Sequence, residues 1–542
     1  MRTHRFAMLG CVALLAGATA ACGSSSSDTN SGSGSGGSST SGSSTPASTK
    51  LADTIIWGTT DTVVSLDPAG AYDLGSQQLI GNMYQNLLSI PAGGTDPQPD
   101  AAQSCDFSDP KTYTCKLKPG LKFSNGDPLT SADVKFSFDR ELKIADPSGA
   151  SSLLAPLKET LAPDPETVTF KLKQADAVWP FILTHTVAAI VPSKVYPADK
   201  KQPDADAIGS GPYKLVKYTP GQQAVFVANP NYTGPNKAQT PNIIVQYYNQ
   251  PSALKLAIEQ GDVDIAYRSL SPTDLKSLAS ESNKGIKVIT GNGTEIRYIV
   301  FNVTKPPANQ LAVRRAIAQV VDRQAISTNV YNDTVKPLWS TIPASLPGAI
   351  PAFKTAFGDK PNIPAAKAEL EKAGIKLPLT LDGWYTPTHY GPAEVDLWNE
   401  IKRQLEASGL FKVNLDSTEW TQYKDAAFSK HQYYFYGLGW FPDYPDPDNY
   451  LSPFVRDGGF FQNGYKNANV DKWLDAELAT SDQNERIKYF QKVQEQEAKD
   501  VPLIPLWEGK QTAAIKDTVM GMEKTFDPAF QFRFWLVTKK AS

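Results

Sequence analysis

The chain has 542 residues, of which 41% are hydrophobic and 20% charged, with a formal net charge of −3. That is enough chain for two or three globular cores, and the charge balance gives no reason to expect nucleic acid or an anionic membrane surface as partner. After the N-terminal segment no run of 18 or more apolar residues occurs, so the body does not read as membrane-spanning.

Met1 to Arg5 is a short basic start, and Phe6 to Ala21 is an apolar run of 16 residues. The run falls short of the ~20 residues that cross a bilayer as a helix. It has the build of an export signal, so residues 1–21 are set apart from the fold. The ending Thr19-Ala20-Ala21-Cys22 resembles the lipobox of bacterial lipoproteins, with Thr19 where leucine is usual; the resemblance implies a diacylated Cys22 as first residue of the mature chain. Gly23 to Lys50 is almost entirely Gly, Ser and Thr and cannot bury enough apolar surface to offset its ordering entropy. Residues 22–50 thus read as a flexible tether, about 30 Å in reach by Gly/Ser chain statistics. The alternative is a soluble secreted protein cut near Ala21.

Export also bears on the cysteines. Cys11 lies in the signal and Cys22 is the lipid site, which leaves Cys105 and Cys115. The segment between them reads as a β-hairpin turning at Asp109-Pro110, and a symmetric register sets Phe107 opposite Tyr113 and Cys105 opposite Cys115. Facing cysteines on paired strands can form a disulfide, which an oxidising compartment permits; two buried free thiols are the alternative.

Further elements follow in order. Thr130 and Asp133 are placed to cap a helix whose apolar stripe is Val134, Phe138 and Leu142. Gly209 to Leu215 opens a strand-rich stretch ending at Asn229-Pro230-Asn231-Tyr232. Lys255 to Gln260 is a helix stopped at Gly261 and followed by a short strand. Beyond residue 300 helices and strands alternate: a helix through Val313, Ile317 and Val320, another through Trp398, Ile401 and Leu405 closed by Gly409, the strand Lys412 to Asp416, and a helix from Asn484 to Lys499. The pattern is that of an α/β protein.

Several blocks carry a family resemblance. Leu66-Asp67-Pro68, Pro119-Gly120-Leu121-Lys122-Phe123, Asn125-Gly126-Asp127-Pro128-Leu129-Thr130 and Ala132-Asp133-Val134 resemble the signature region of the family 5 extracellular solute-binding proteins, the dipeptide/oligopeptide-binding group of ABC importers. Gly209-Ser210-Gly211-Pro212-Tyr213, Gln260-Gly261-Asp262-Val263-Asp264, Val313-Arg314-Arg315-Ala316-Ile317 and Gly439-Trp440-Phe441-Pro442-Asp443-Tyr444 are similar to later blocks, in the same order. The resemblance implies a two-lobed periplasmic-binding-protein fold of class II, three-domain type, with mixed sheets and a hinge. Residues 51–95, 206–300 and 505–542 would form lobe I, 96–205 a subdomain inserted into it, and 301–504 lobe II.

The acidic, proline-rich segment from Gly437 to Tyr450 is the candidate site, because its prolines exclude a regular helix and its aromatic flanks suit the rim of a cleft. In peptide-binding relatives the aspartate at the Asp443 position pairs with the peptide's α-ammonium group, and the resemblance carries that role to Asp443. Trp440 and Tyr444 are expected in the cleft wall, and Tyr72 and Leu74 fall where relatives meet the peptide backbone from lobe I. Asp446 and Asp448 read as turn caps after proline. The oligopeptide-binding type has a basic residue six positions before the aspartate, where this chain has Gly437.

No catalytic constellation competes with this reading. The four histidines are widely separated, no Gly-x-Ser-x-Gly elbow occurs, and the one Ser-x-x-Lys, Ser252 to Lys255, lacks its companion motifs. No enzyme activity, cofactor or metal is expected. The resemblance implies an extracytoplasmic monomer, held to the cell membrane only by its lipid, that captures peptides and hands them to ABC permease subunits. A sensor presenting peptide to a signalling partner, or the same fold holding an oligosaccharide, nickel chelate or haem, are the alternatives.

Overall fold

Two long strands, Ile286–Phe301 and Leu503–Lys516, pair antiparallel at the centre of an 11-stranded mixed sheet. These belong to a computed structural model describing residues 52–268 and 270–541; the signal, Cys22 and the Gly/Ser-rich tether lie outside the described residues. Among the described residues, no helix is long and apolar enough to cross a membrane.

Across the sheet the order is Phe411–Ser417, Leu379–Tyr385, Phe435–Trp440, Ile286–Phe301, Leu503–Lys516, Ile265–Tyr267, Thr54–Thr59, Asn242–Tyr247, Gln223–Ala228 and Tyr213–Thr219, with Val335–Pro337 on the side of Leu503–Lys516. Leu379–Tyr385 and Phe411–Ser417 are parallel, as a crossover through the helix Glu394–Ala407 requires. Trp398, Ile401 and Leu405 on that helix are buried against them.

The two central strands do not pair evenly. Asn292 faces Lys510 and Ile296 faces Glu508, so residues 293–295 stand against Gly509 alone. Such a bulge bends the ladder and raises its twist. Gly293 fits there because a Cβ would meet the Gly509 carbonyl oxygen at 2.6 Å. On one side of the break Ile296–Phe301 pairs with Phe435–Trp440; on the other, Ile265–Tyr267 joins the C-terminal end of Leu503–Lys516.

A separate four-stranded antiparallel sheet, ordered Ala102–Asp109, Thr112–Leu117, Thr167–Leu172 and Leu157–Asp164, carries the predicted hairpin. Cys105 faces Cys115 and Phe107 faces Tyr113, and a disulfide joins the cysteines. The helix Ser131–Ile144 packs on this sheet behind the Thr130/Asp133 capping box. Its buried stripe is Val134, Ser137, Phe138 and Glu141, while Leu142 is 42% exposed. The predicted spacing of four fails because eight residues at about 100° each drift about 80° off the face, whereas seven drift only about 20°.

The C-terminal segment returns to the first strand. Phe532 and Phe534 pack edge-on against Trp57, with ring centroids 4.8 and 5.8 Å away. Gln78 and Asn82, buried on the helix Leu74–Met83, bond the backbone of residues 530–534: Gln78 Nε2 donates to the Phe530 carbonyl at 2.7 Å, and Asn82 Oδ1 accepts from the Phe534 N–H at 2.9 Å. Two amides thereby fix where Phe530 stands.

Residues after the Asp443 loop are anchored by charge. The Arg486 guanidinium donates to both oxygens of Asp446, at 2.7 and 2.9 Å, and to Glu477 at 2.9 Å, all fully buried. Asp446 also caps the short helical turn Pro447–Tyr450, as predicted; its ion pair with a residue 40 positions away is new. Removing one partner of such a buried pair typically costs about 3–5 kcal/mol.

Asp176 meets this cluster from the other sheet, beside a 2.9 Å hydrogen bond from the Ala177 N–H to the Leu478 carbonyl. Burial pushes the Asp176 carboxyl up to about 7, with Asp448 and Asp446 adding repulsion against the lowering by the Val178 N–H and Arg486. The folded protein holds this proton to higher pH than the unfolded chain, whose reference is 3.8. Stability therefore falls as pH rises from about 4 to about 7, and the penalty is complete above that. Asp176→Asn should raise the melting temperature at about pH 8 and change it little near pH 4; equal shifts at both would contradict this.

Candidate functional site

The strand Phe435–Trp440 is followed by Phe441 and Pro442, and the chain leaves the sheet with Asp443 lining a cavity. Asn449 organises this exit: its Oδ1 accepts from the Asp443 N–H and from the Trp440 indole N–H, both at 3.0 Å, and its Nδ2 donates to Asp443 Oδ2 at 2.9 Å. Asp443 Oδ1 accepts from the Tyr72 hydroxyl at 2.7 Å, a contact spanning 371 positions of sequence. Burial raises the Asp443 pKa, while the Asn449 and Tyr72 hydrogen bonds lower it. Both partners are neutral. Among the described residues no Lys, Arg or His forms an ion pair with Asp443, unlike Asp446 three positions on.

The cavity holds about 330 Å³. Leu74 and Gln77 line it from one wall, Phe441, Asp443 and Tyr444 from another, and Phe530 and Gln531 from the C-terminal segment. Leu74 and Tyr444, two of the residues singled out in the sequence, both line this cavity, with Tyr444 also packing on Phe181 at 6.3 Å between centroids. Tyr72 reaches the site through Asp443. Trp440 does not line this cavity: its ring packs edge-on against Phe454 at 5.2 Å, and its N–H is spent on Asn449. Strand alternation explains the difference, since successive side chains face opposite sides and Phe441 takes the cleft side.

His185 lines the same cavity and is buried. Its Nδ1 accepts from the Val187 N–H at 3.0 Å, and its Nε2 faces the Gln77 side-chain amide at 3.0 Å. Burial pushes its pKa down to about 3, so the ring is neutral near pH 7.

A second cavity of about 610 Å³ shares Phe441 and Phe530 with the first. Those rings meet edge-on at 5.6 Å between centroids and stand between the two compartments. Gly437 offers nothing to either: a Cβ there would lie 2.6 Å from the Trp398 indole nitrogen. A side chain at this position is thus sterically closed.

Sequence reasoning missed Asn449, Phe441, Phe530 and Arg268, which lies against the two phenylalanines. Asn449 was legible as a polar residue six positions after Asp443; the others converge only through the fold. Among the described residues, no group of three or more His, Cys, Asp or Glu side chains could hold a metal ion, and the arrangement is suited to holding a cationic group on the Asp443 carboxylate, which the neutral donors Asn449 and Tyr72 position.

The chain is similar to known proteins along most of its length. It is 29% identical over 497 residues to "Probable D,D-dipeptide-binding periplasmic protein" of Escherichia coli, covering 88% of this chain and 92% of that one. It is 28% identical over 462 residues to "Di/tripeptide-binding protein 3" of Pseudomonas aeruginosa, covering 78% and 83%. A periplasmic binding protein of Helicobacter pylori, solved with the peptide STSA, superposes with a TM-score of 0.75 at 22% identity over 91% of this chain and 99% of that one, a likeness of fold. Residues 96–462, more than half of the sequence, match the model described as "Bacterial extracellular solute-binding proteins, family 5 Middle", and the chain belongs to that family.

Proposed function

We propose that this protein captures peptides in the cleft beside Asp443 and delivers them to the membrane subunits of an ABC importer. The observation that carries the reading is a part-buried carboxylate lining a cavity with only neutral partners. A peptide's α-ammonium supplies the missing cation. Each carboxylate oxygen has two lone pairs, so Asn449 and Tyr72 can keep their bonds while the ammonium adds its own. A charge-assisted bond in such a site contributes about 1.5–3 kcal/mol. Peptide-binding names among similar proteins support the same ligand class.

In this reading residues 51–95, 206–300 and 505–542 form lobe I with 96–205 inserted, and 301–504 form lobe II. The bulge at residues 293–295 is the hinge: Phe435–Trp440 pairs only on one side of it and Ile265–Tyr267 only on the other, while the short strand Val335–Pro337 alone lies across Gly509. Closing energy comes from contacts made only when the lobes meet, the Tyr72 hydroxyl on Asp443 among them. The lipid on Cys22 and the 22–50 tether keep the protein near its permease, working as a monomer.

Two experiments address these claims. A saturating peptide, at a hundred times its dissociation constant, should stabilise the wild type by about 2.7 kcal/mol. Asp443→Asn should abolish that shift for peptides with a free amino terminus without lowering the unliganded melting point; an equal shift in both proteins would remove the assignment. For the anchor, Cys22→Ala should move the protein from the membrane fraction to the soluble one, and continued membrane retention would refute lipidation.

A further inference from the structure

We infer that the second compartment is an anion-recognising subsite, with Arg268 as its specificity determinant, and that the two ends of a ligand lie on opposite sides of the Phe441–Phe530 pair. This rests on the proposed capture of peptides at Asp443. The 610 Å³ compartment is lined by Asp61, Arg268, Glu295, His389, Tyr390 and Lys510, among others. Arg268 donates from Nε to Asp61 Oδ2 at 2.8 Å, and among the described residues its two terminal nitrogens make no hydrogen bond. Its guanidinium lies 5.1 Å from the Phe441 ring centroid and 5.5 Å from that of Phe530. The plane is therefore fixed by two aromatic faces and one carboxylate, while the fork that suits a bidentate carboxylate is left for the cavity.

The other cationic side chains in or behind the two compartments are committed differently. Arg533, in the first compartment, is buried and donates to Asp527 and to the Ile90 carbonyl. Arg297 is buried behind Glu295 and Glu394, which it pairs at 2.6 and 2.9 Å. Lys510 donates to the Asp333 carbonyl at 2.6 Å and has no carboxylate partner among the described residues, so it adds positive charge at the same compartment. The carboxylates have partners too: Glu295 pairs with Arg297, and Asp61 accepts from Arg268 Nε, so Lys510 is the lining cation without a carboxylate partner among the described residues, and Arg268 offers its terminal nitrogens rather than an unpaired charge.

The backbone adds an independent sign. Arg268 and Phe530 both have left-handed φ, 73° and 56°, which is uncommon for residues with a bulky side chain. Such conformations persist where the surroundings over-determine them, and they cluster at ligand clamps. Here the two strained residues touch each other across the middle of the cleft. With Gly437 closed by Trp398, Arg268 puts the positive end of the site on the wall opposite the one expected from the oligopeptide type.

The test uses the full chain and a library of di- to hexapeptides, each made with a free and with an amidated C terminus. Native mass spectrometry finds the best binders, and calorimetry measures their affinities. Wild type should prefer the free acid over its amide by at least about tenfold, the scale of a charge-assisted bond. Arg268→Gln should erase that preference while keeping the loss caused by acetylating the amino terminus, and Arg268→Lys should restore part of it. Asp61→Asn, which releases the guanidinium from its internal partner, should strengthen the preference and serves as the second probe should Arg268→Gln melt early. An acid-to-amide ratio unchanged in Arg268→Gln, or weakened in Asp61→Asn, overturns this subsite and leaves the role of Asp443 standing. Failure of every peptide to bind wild type overturns both.

Discussion

The rest of the site depends on a carboxylate that the protein does not neutralise. Asp443 has a raised pKa from burial and is steadied by an amide and a phenol, while Asp446, three residues later, is fully answered by Arg486. The contrast is informative because the same short loop contains both. In this loop the carboxylate that anchors the chain is given a cation and sealed in. One kept without a cation and lining a cavity carries a standing cost, which a ligand's ammonium can relieve.

The scaffold around this charge divides into parts that hold still and a part that bends. Arg486 with its two carboxylates, and Gln78 with Asn82, pin the two cleft-lining segments from opposite sides. Between them, the two longest strands lose register over residues 293–295, where glycines face each other. Rigid walls joined through a short irregular ladder are the arrangement a closing cleft needs. The Asp176 contact lies away from the Asp443 cavity and joins the segment after the four-stranded sheet to the buried Arg486 cluster.

Much of this architecture was legible in the sequence because local rules dominate it. The hairpin register at Cys105 and Cys115 follows from strand alternation about a Pro turn, and the Thr130/Asp133 cap from side-chain reach. Leu142 escaped because a four-residue spacing drifts around a helix, and Trp440 because one step along a strand changes faces. Arg268 and Phe530 could not be read at all: they lie 262 positions apart and become neighbours only through the sheet order. Asp443 was reachable through its motif, whereas its lack of a cation is a property of the assembled cleft alone.

The central claim is tested most directly by calorimetry of peptide binding in two buffers of different ionisation enthalpy, repeated down into mildly acidic solution. If an ammonium replaces the missing cation, it lowers the Asp443 pKa, so binding expels a proton once the pH approaches the raised value of the free protein. Proton release should then be seen with free peptides and vanish when their amino terminus is acetylated. Binding that moves no proton, or moves the same number for acetylated and free peptides, would contradict the account.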